Sequence, residues 1–200
     1  MDEGYIKFNC DWVKRPALSP NKLASINWGR KKMYDCGLIG VYENGIGYGN
    51  ISERSAGEKF IISGSSTGGF KELDPRHYSL VHKIDVENNK VWCSGPIQAS
   101  SETMSHAVIY QTCPEVNAIV HIHDLNLWKT LIHQVPTTNP LVSYGTPEMA
   151  KEIIRLLIQT DVRQHTGYFV MAGHEEGIIA FGENMEHAIN RIDCLVDCEL

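Results

Sequence analysis

The chain has 200 residues, 42% hydrophobic and 21% charged, with 17 glycines and 8 prolines. That balance excludes disorder, collagen-like repeats and a disulfide-rich mini-protein. A chain of this length most simply makes one domain, whose core buries roughly 70% of the unfolded surface. Eighteen basic against 24 acidic residues leave a net charge of −6, which argues against non-specific nucleic-acid binding because that needs a basic face.

No apolar run approaches the ~20 residues of a membrane helix. The opening Met1-Asp2-Glu3-Gly4-Tyr5 has neither the basic start nor the apolar stretch of a secretory signal. Cysteines stand at positions 10, 36, 93, 113, 194 and 198 with no CxxC among them, the pattern of reduced thiols in a cytoplasmic protein. Cys194 and Cys198 are four apart and are expected to share one face of a helix as packing residues. Neither nucleic acid nor a membrane is expected as a partner.

Ile6, Phe8, Cys10 and Trp12 alternate with polar residues, which predicts a short strand or extended arm over 1–19 packed on a domain of 20–200. Ser19 before Pro20 predicts a helix running to about residue 36, where Gly37 stops it. Short strands are expected at 38–43, 49–54 and 59–63, followed by a polar Gly-Ser-Thr loop over 63–69. Segments 78–86 and 90–94 read as a hairpin turning at Glu87-Asn88-Asn89. Ser101 is the expected cap of a helix from Glu102 to about Thr112. The β-branched run Ala118-Ile119-Val120-His121-Ile122-His123 reads as a buried strand, and Asp124 can cap a short helix after it. Thr146-Pro147-Glu148 opens another helix, with Met149, Ile153, Leu156 and Leu157 on its apolar face. Strands at 168–172 and 177–181 flank a turn at Gly173-His174-Glu175-Glu176, and a last helix carries Met185, Ala188, Ile189, Ile192, Leu195 and Val196 at helical spacing. Helices and strands interleave throughout, which points to one layered α/β domain.

His121-Ile122-His123 is the sharpest chemical signal. Residues i and i+2 of a strand project to one face, so both imidazoles converge while Ile122 points to the opposite layer. Such a pair on an apolar strand is either mutually hydrogen-bonded or bound to a metal. His174 sits in a glycine-flanked turn that can deliver a third ligand, or is an exposed turn residue. Glu102 lies at a helix N-terminus, where a carboxylate either compensates the dipole or moves a proton. Three histidines with an open position make a catalytic zinc site. Gly49-Asn50-Ile51-Ser52, Ser66-Thr67-Gly68 and Ser100-Ser101 are small, donor-rich turns of the kind that cradle phosphate. His106 shares a helical face with Glu102 and either buttresses it or packs on the sheet. The four tryptophans read as packing residues, with Trp128 a candidate pocket wall.

Taken in order, Gly49-Asn50-Ile51-Ser52, the 63–69 loop, Ser100-Ser101-Glu102 with His106, Val120-His121-Ile122-His123, Gly145-Thr146 and the glycine-flanked His174 resemble the class II aldolase/adducin family over nearly the whole chain. The resemblance implies a three-layer αβα fold around a mixed, mostly antiparallel sheet. It implies a divalent metal, most simply Zn2+, on His121, His123 and His174, with Glu102 as proton shuttle. Asn50, Ser52, Thr67, Gly68, Ser100 and Ser101 fall on the family's phosphate pocket. The implied activity is that of a zinc-dependent aldehyde-lyase acting on a small keto sugar phosphate through a metal-stabilised enediolate. Dehydratases and epimerases use the same site, and adducin-like members bind without catalysis. A cyclic homotetramer is the family's usual assembly. This chain departs from the pattern where Glu175-Glu176 separates His174 from Gly177, which leaves His165 as the other candidate ligand. No tyrosine lies between Asp124 and Ser143, where some aldolases carry one that reaches a neighbouring subunit. Tyr144 is not equated with it.

Overall fold

The computed structural model describes residues 5–197. Ten strands and five helices follow one another as β1 (Asn9–Lys14), α1 (Ala24–Asp35), β2 (Gly40–Val41), β3 (Gly47–Tyr48), β4 (Asn50–Ala56), β5 (Lys59–Ser63), β6 (Tyr78–Asp85), β7 (Lys90–Gly95), α2 (Thr103–Thr112), β8 (Ala118–His123), α3 (Leu125–Leu131), α4 (Pro147–Gln159), β9 (Tyr168–Val170), β10 (Gly177–Gly182) and α5 (Met185–Asp197). Eight strands form one sheet in the order β1-β7-β6-β5-β4-β8-β10-β9, and β2 and β3 pair separately. β1 runs parallel to β7, whereas the other pairings of the large sheet are antiparallel.

Side-chain alternation divides the core into two layers. Ile119, Ile179, Phe181, Phe60 and Ile62 pack on one side with Met104 and Val108 of α2 and Ile153 and Leu157 of α4. Val120, Ile122, Ile178, Ala180, Ile51 and Ile61 pack on the other with Ile26 and Met33 of α1 and Ile189 and Ile192 of α5. The result is the expected αβα sandwich around a mixed, mostly antiparallel sheet. Ile6, Phe8, Cys10 and Trp12 all join the first layer, so the alternation at the start of the chain does mark a buried face.

Local chemistry sets most boundaries where the residues predicted them. Asp124 accepts hydrogen bonds from the amides of Asn126 and Leu127. Thr146 accepts one from Met149 ahead of Pro147, which covers one of the amides a helix start leaves open. Gly37 takes a left-handed φ of +75° just past α1.

Other boundaries moved. Ser19 and Pro20 open a 3-10 turn and not α1, and the Ser19 side chain caps nothing. The expected strand at 38–43 shortens to two residues because the chain folds back through a turn in which the Gly45 amide donates to the Tyr42 carbonyl. α2 begins at Thr103, and Ser100, rather than Ser101, accepts from the Glu102 amide through Oγ and from the Thr103 amide through its carbonyl. Trp128 donates to the Met171 carbonyl and packs in the second layer, away from the cavity described below. The five described cysteines are free. Cys194 is exposed rather than a packing residue, and Cys198, expected on the same helix face, lies outside the described residues.

Arg30 of α1 is buried at 1% exposure. One guanidinium nitrogen donates to the carbonyls of Thr67, Gly68 and Phe70, at 3.3, 2.8 and 2.7 Å. A single buried cation therefore gathers three carbonyls of the loop after β5. Gly68 sits so close to the neighbouring hairpin that a Cβ would fall 2.1 Å from the Gly40 carbonyl oxygen. Arg30→Leu removes the donor shared by three carbonyls and is expected to cost about 2–4 kcal/mol, read as a lowered urea midpoint. A loss under about 0.5 kcal/mol, the range of an ordinary surface substitution, would mean the loop holds its shape without Arg30.

Candidate metal centre and anion cavity

β8 lies between β4 and β10, and each of its six residues is buried. Its register pairs Asn50 and Ile179 with His121, and Gly177 with His123. The alternation that sends Val120 and Ile122 into the second layer turns His121 and His123 to the opposite face. His174 arrives from the turn between β9 and β10. Its amide donates to the Met171 carbonyl at 3.1 Å and its carbonyl accepts from Gly177 at 2.9 Å. Gly173 is required in that turn, since a Cβ there would lie 1.8 Å from the Val142 carbonyl oxygen.

The three imidazoles meet. Ring centroids are 4.9 Å apart for His121 and His123, 5.0 Å for His121 and His174, and 4.7 Å for His123 and His174. One ring nitrogen from each lies within 4.8 Å of the others. Burial pushes His121 well below the ordinary histidine range, and the neighbouring imidazoles add to that. Burial likewise lowers His174 to about 3, helped by the nearby Lys7 ammonium. These rings are therefore neutral bases, the form that binds metal. Nε2 of His121 is buried with no hydrogen-bond partner among the described residues. A converging set of nitrogen donors, one of them otherwise orphaned, fits a divalent transition metal. His165 is not in the group; its carbonyl accepts from Arg191 on the α5 side of the molecule.

Glu102 stands beside this cluster, 2% exposed, with Oε2 accepting from the Ser105 hydroxyl at 3.0 Å. One cavity is lined by Glu102, His121 and His174 together with Asn50, Thr67, Gly68, Ser100 and Ser101. Of the residues singled out in the sequence, His123 is absent from that lining and joins it through its two neighbouring rings, whereas Ser52 lies elsewhere. Its hydroxyl is 2.7 Å from Nδ1 of His106 and 2.9 Å from the Tyr110 hydroxyl, fully buried under α2. His106 thus packs on the sheet through Ser52. The Thr67 hydroxyl donates to the Gly64 carbonyl and shapes its own loop. The Asn50 amide lies 3.2 Å from Nδ1 of His121, so this residue touches both the cavity and a candidate ligand.

Four side chains that the sequence reading left without a role also reach the site. Tyr144 lines the cavity and stacks on His174 with centroids 4.2 Å apart. Lys7 lies 3.8 Å above the Tyr144 ring, carried there by the arm ahead of β1. Tyr42 donates to Glu176 at 2.5 Å, and its oxygen is 2.9 Å from Nδ1 of His123. Contacts to His123 first and Tyr42 second hold the Glu176 carboxyl below the usual range. No local pattern marks Tyr42. Glu176 is visible in sequence only as an extra residue between His174 and Gly177.

The chain belongs to the family described as "Class II Aldolase and Adducin N-terminal domain", which matches residues 43–198. A curated relative named "Probable L-ribulose-5-phosphate 4-epimerase", from Mycoplasma pneumoniae, is 30% identical over 76 residues, 38% of this chain. That match spans 30% of the relative's length. Among solved structures, an L-fuculose-1-phosphate aldolase from Thermus thermophilus superimposes with a TM-score of 0.63 at 20% identity, covering 90% of this chain and 91% of that one. A sugar-phosphate aldolase from Thermotoga maritima gives a TM-score of 0.63 at 17% identity, covering 88% and 90%. At these identities the superpositions establish the fold.

Burial lowers His106 to about 3. The unfolded chain, with an ordinary pKa near 6.5, therefore binds a proton that the folded chain refuses between pH 6.5 and about 3. Stability held above pH 6.5 is expected to fall through that window at up to about 1.4 kcal/mol per pH unit for this one residue. His106→Gln should flatten the dependence of urea stability on pH by that increment between pH 6 and 4. An unaltered slope would show that His106 is protonated in the folded chain.

Proposed function

We propose that the protein is a metal-dependent lyase of the class II aldolase type, acting on a small keto sugar phosphate. The observation that carries this reading is the meeting of three buried imidazoles, two of which, His121 and His174, line one donor-rich cavity with the buried Glu102. His121, His123 and His174 would hold the metal, most simply Zn2+. A divalent ion held there supplies Lewis acidity, polarising a carbonyl oxygen and stabilising negative charge that develops on it.

Asn50, Gly68, Ser100 and Ser101 orient the substrate phosphate through amides and hydroxyls. Thr67 shapes that cradle from within its loop. Glu102 moves the proton. In aldol cleavage the carbon next to the carbonyl gains a proton while the β-hydroxyl gives one up, and Glu102 is the titratable group beside that position. Its buried setting keeps bulk water from competing for the same proton. The N-terminal strand or arm expected over 1–19, of which residues 1–4 lie outside the described residues, packs on a single domain of 20–200. We place the enzyme in the cytoplasm as a homotetramer with sites at subunit borders.

The epimerase-named relative favours a second reading, epimerisation of a sugar phosphate on the same residues; a dehydratase would also use them, and an adducin-like binding role would need no metal. Elemental analysis of untagged protein is expected to find about one zinc per chain (the stoichiometry of one three-histidine site). His121→Ala and His123→Ala are each expected to lose it. Full metal in both variants would overturn the ligand assignment. Glu102→Gln should keep fold and metal but lose turnover of ketose phosphates by about 100-fold or more. Product analysis separates the chemistries, since cleavage yields an aldehyde and a ketone phosphate whereas epimerisation yields one isomeric sugar. Undiminished turnover in Glu102→Gln would remove this residue as the proton carrier.

A further inference from the structure

Tyr42 and Glu176 come from separate parts of the fold and meet at His123. Tyr42 follows β2 in the small hairpin, with its amide donating to the Ile46 carbonyl. Glu176 closes the β9–β10 turn, and its carbonyl accepts from the Asp124 amide at 3.1 Å. The Tyr42 hydroxyl is 2.5 Å from Oε2 of Glu176 and 2.9 Å from Nδ1 of His123. Oε2 of Glu176 is itself 3.8 Å from Nδ1.

The direction of these hydrogen bonds follows from the donor inventory. A carboxylate only accepts, and a phenol carries one proton. Tyr42 must therefore donate to Glu176, so its oxygen accepts from the ring. Nδ1 of His123 can meet it only as N–H. The neutral ring with its proton on Nδ1 has the lone pair on Nε2. The chain Nδ1–H to phenol to carboxylate thus selects one tautomer before any ligand arrives.

The backbone at Glu176 supports a purpose for this carboxylate. Its φ is +69°, in the left-handed region that glycine occupies at least cost. A non-glycine residue there is strained, and the side chain so placed goes to Tyr42 and His123.

We propose that Tyr42 and Glu176 are positioning residues of the metal site, holding the His123 proton on Nδ1 so that Nε2 is presented to a divalent cation. This rests on the reading of His123 as a metal ligand. It extends that reading to residues outside the ligand set and adds an expected order of effect. Loss of Tyr42 breaks the chain at its centre, and loss of Glu176 lets the phenol reverse and donate to Nδ1.

The test uses Tyr42→Phe and Glu176→Gly in the full chain. Long-range proton–nitrogen spectra of the metal-free protein report the tautomer of each histidine directly. Wild type is expected to show His123 protonated at Nδ1, and both variants a mixture or the Nε2–H form. Zinc affinity, read by competition with a chromophoric chelator, is expected to fall by about 10–100-fold in both. Glu176→Gly relieves the left-handed strain, so its metal-free unfolding midpoint should equal or exceed wild type while its affinity falls. A merely structural role would move these two readouts together. An Nε2–H tautomer in wild type, or variants that match wild type in both tautomer and affinity, would overturn the proposal. A wild type that takes up no zinc yet shows an Nδ1–H tautomer lost in Tyr42→Phe would support the relay and overturn the metal reading.

Discussion

Burying two imidazoles on the central strand is the constraint around which this protein is organised. Unpartnered polar rings in an apolar layer are costly, and β8 is covered on both faces and flanked by β4 and β10. Each neighbouring element answers that cost at a particular atom. Asn50 reaches Nδ1 of His121 from β4, and Tyr42 reaches Nδ1 of His123 from the small hairpin. The two rings face one another and His174 across the cluster. A site of this kind works because its partners occupy the outer nitrogens and turn the inner ones toward a common point.

The two layers of helices make that arrangement rigid. Ile119 and Val120 pack into opposite layers, so the strand can neither rotate nor slip by one residue without exchanging its histidines for isoleucine and valine. α2 does two things at once. It covers the first layer with Met104 and Val108, and its N-terminal end sets Glu102 beside the imidazoles. The placing of His121, His123 and Glu102 is thus tied to core packing.

The cavity's other wall is a loop, and it is held differently. Arg30 directs its guanidinium at loop carbonyls rather than at a carboxylate. Gly68 approaches the hairpin carrying Tyr42 by backbone contact, and the Tyr42 hydroxyl carries that link on to His123. The cavity wall and the histidine cluster therefore share one support.

Much of this was written in local pattern. Period-two alternation in 118–123 determined that His121 and His123 share a face, because that is a property of any strand. Asp124, Thr146 and Gly37 marked helix ends because capping and left-handed turns act over a few residues. The ordered motifs pointed to the family and the layered fold, and left His174 and His165 as candidates for the third ring, between which the folded turn decided. Tertiary structure decided what depends on which strands become neighbours. Ser52 has the right chemistry for an anion pocket, but strand alternation turns it under α2 to His106. Tyr42 and Glu176 are 134 residues apart, and nothing in either neighbourhood predicts that they meet. Arg30 looks like a solvated helix residue until the loop after β5 folds across it. Local spacing sets the direction in which a side chain leaves the backbone. Only the packed sheet sets what it finds there.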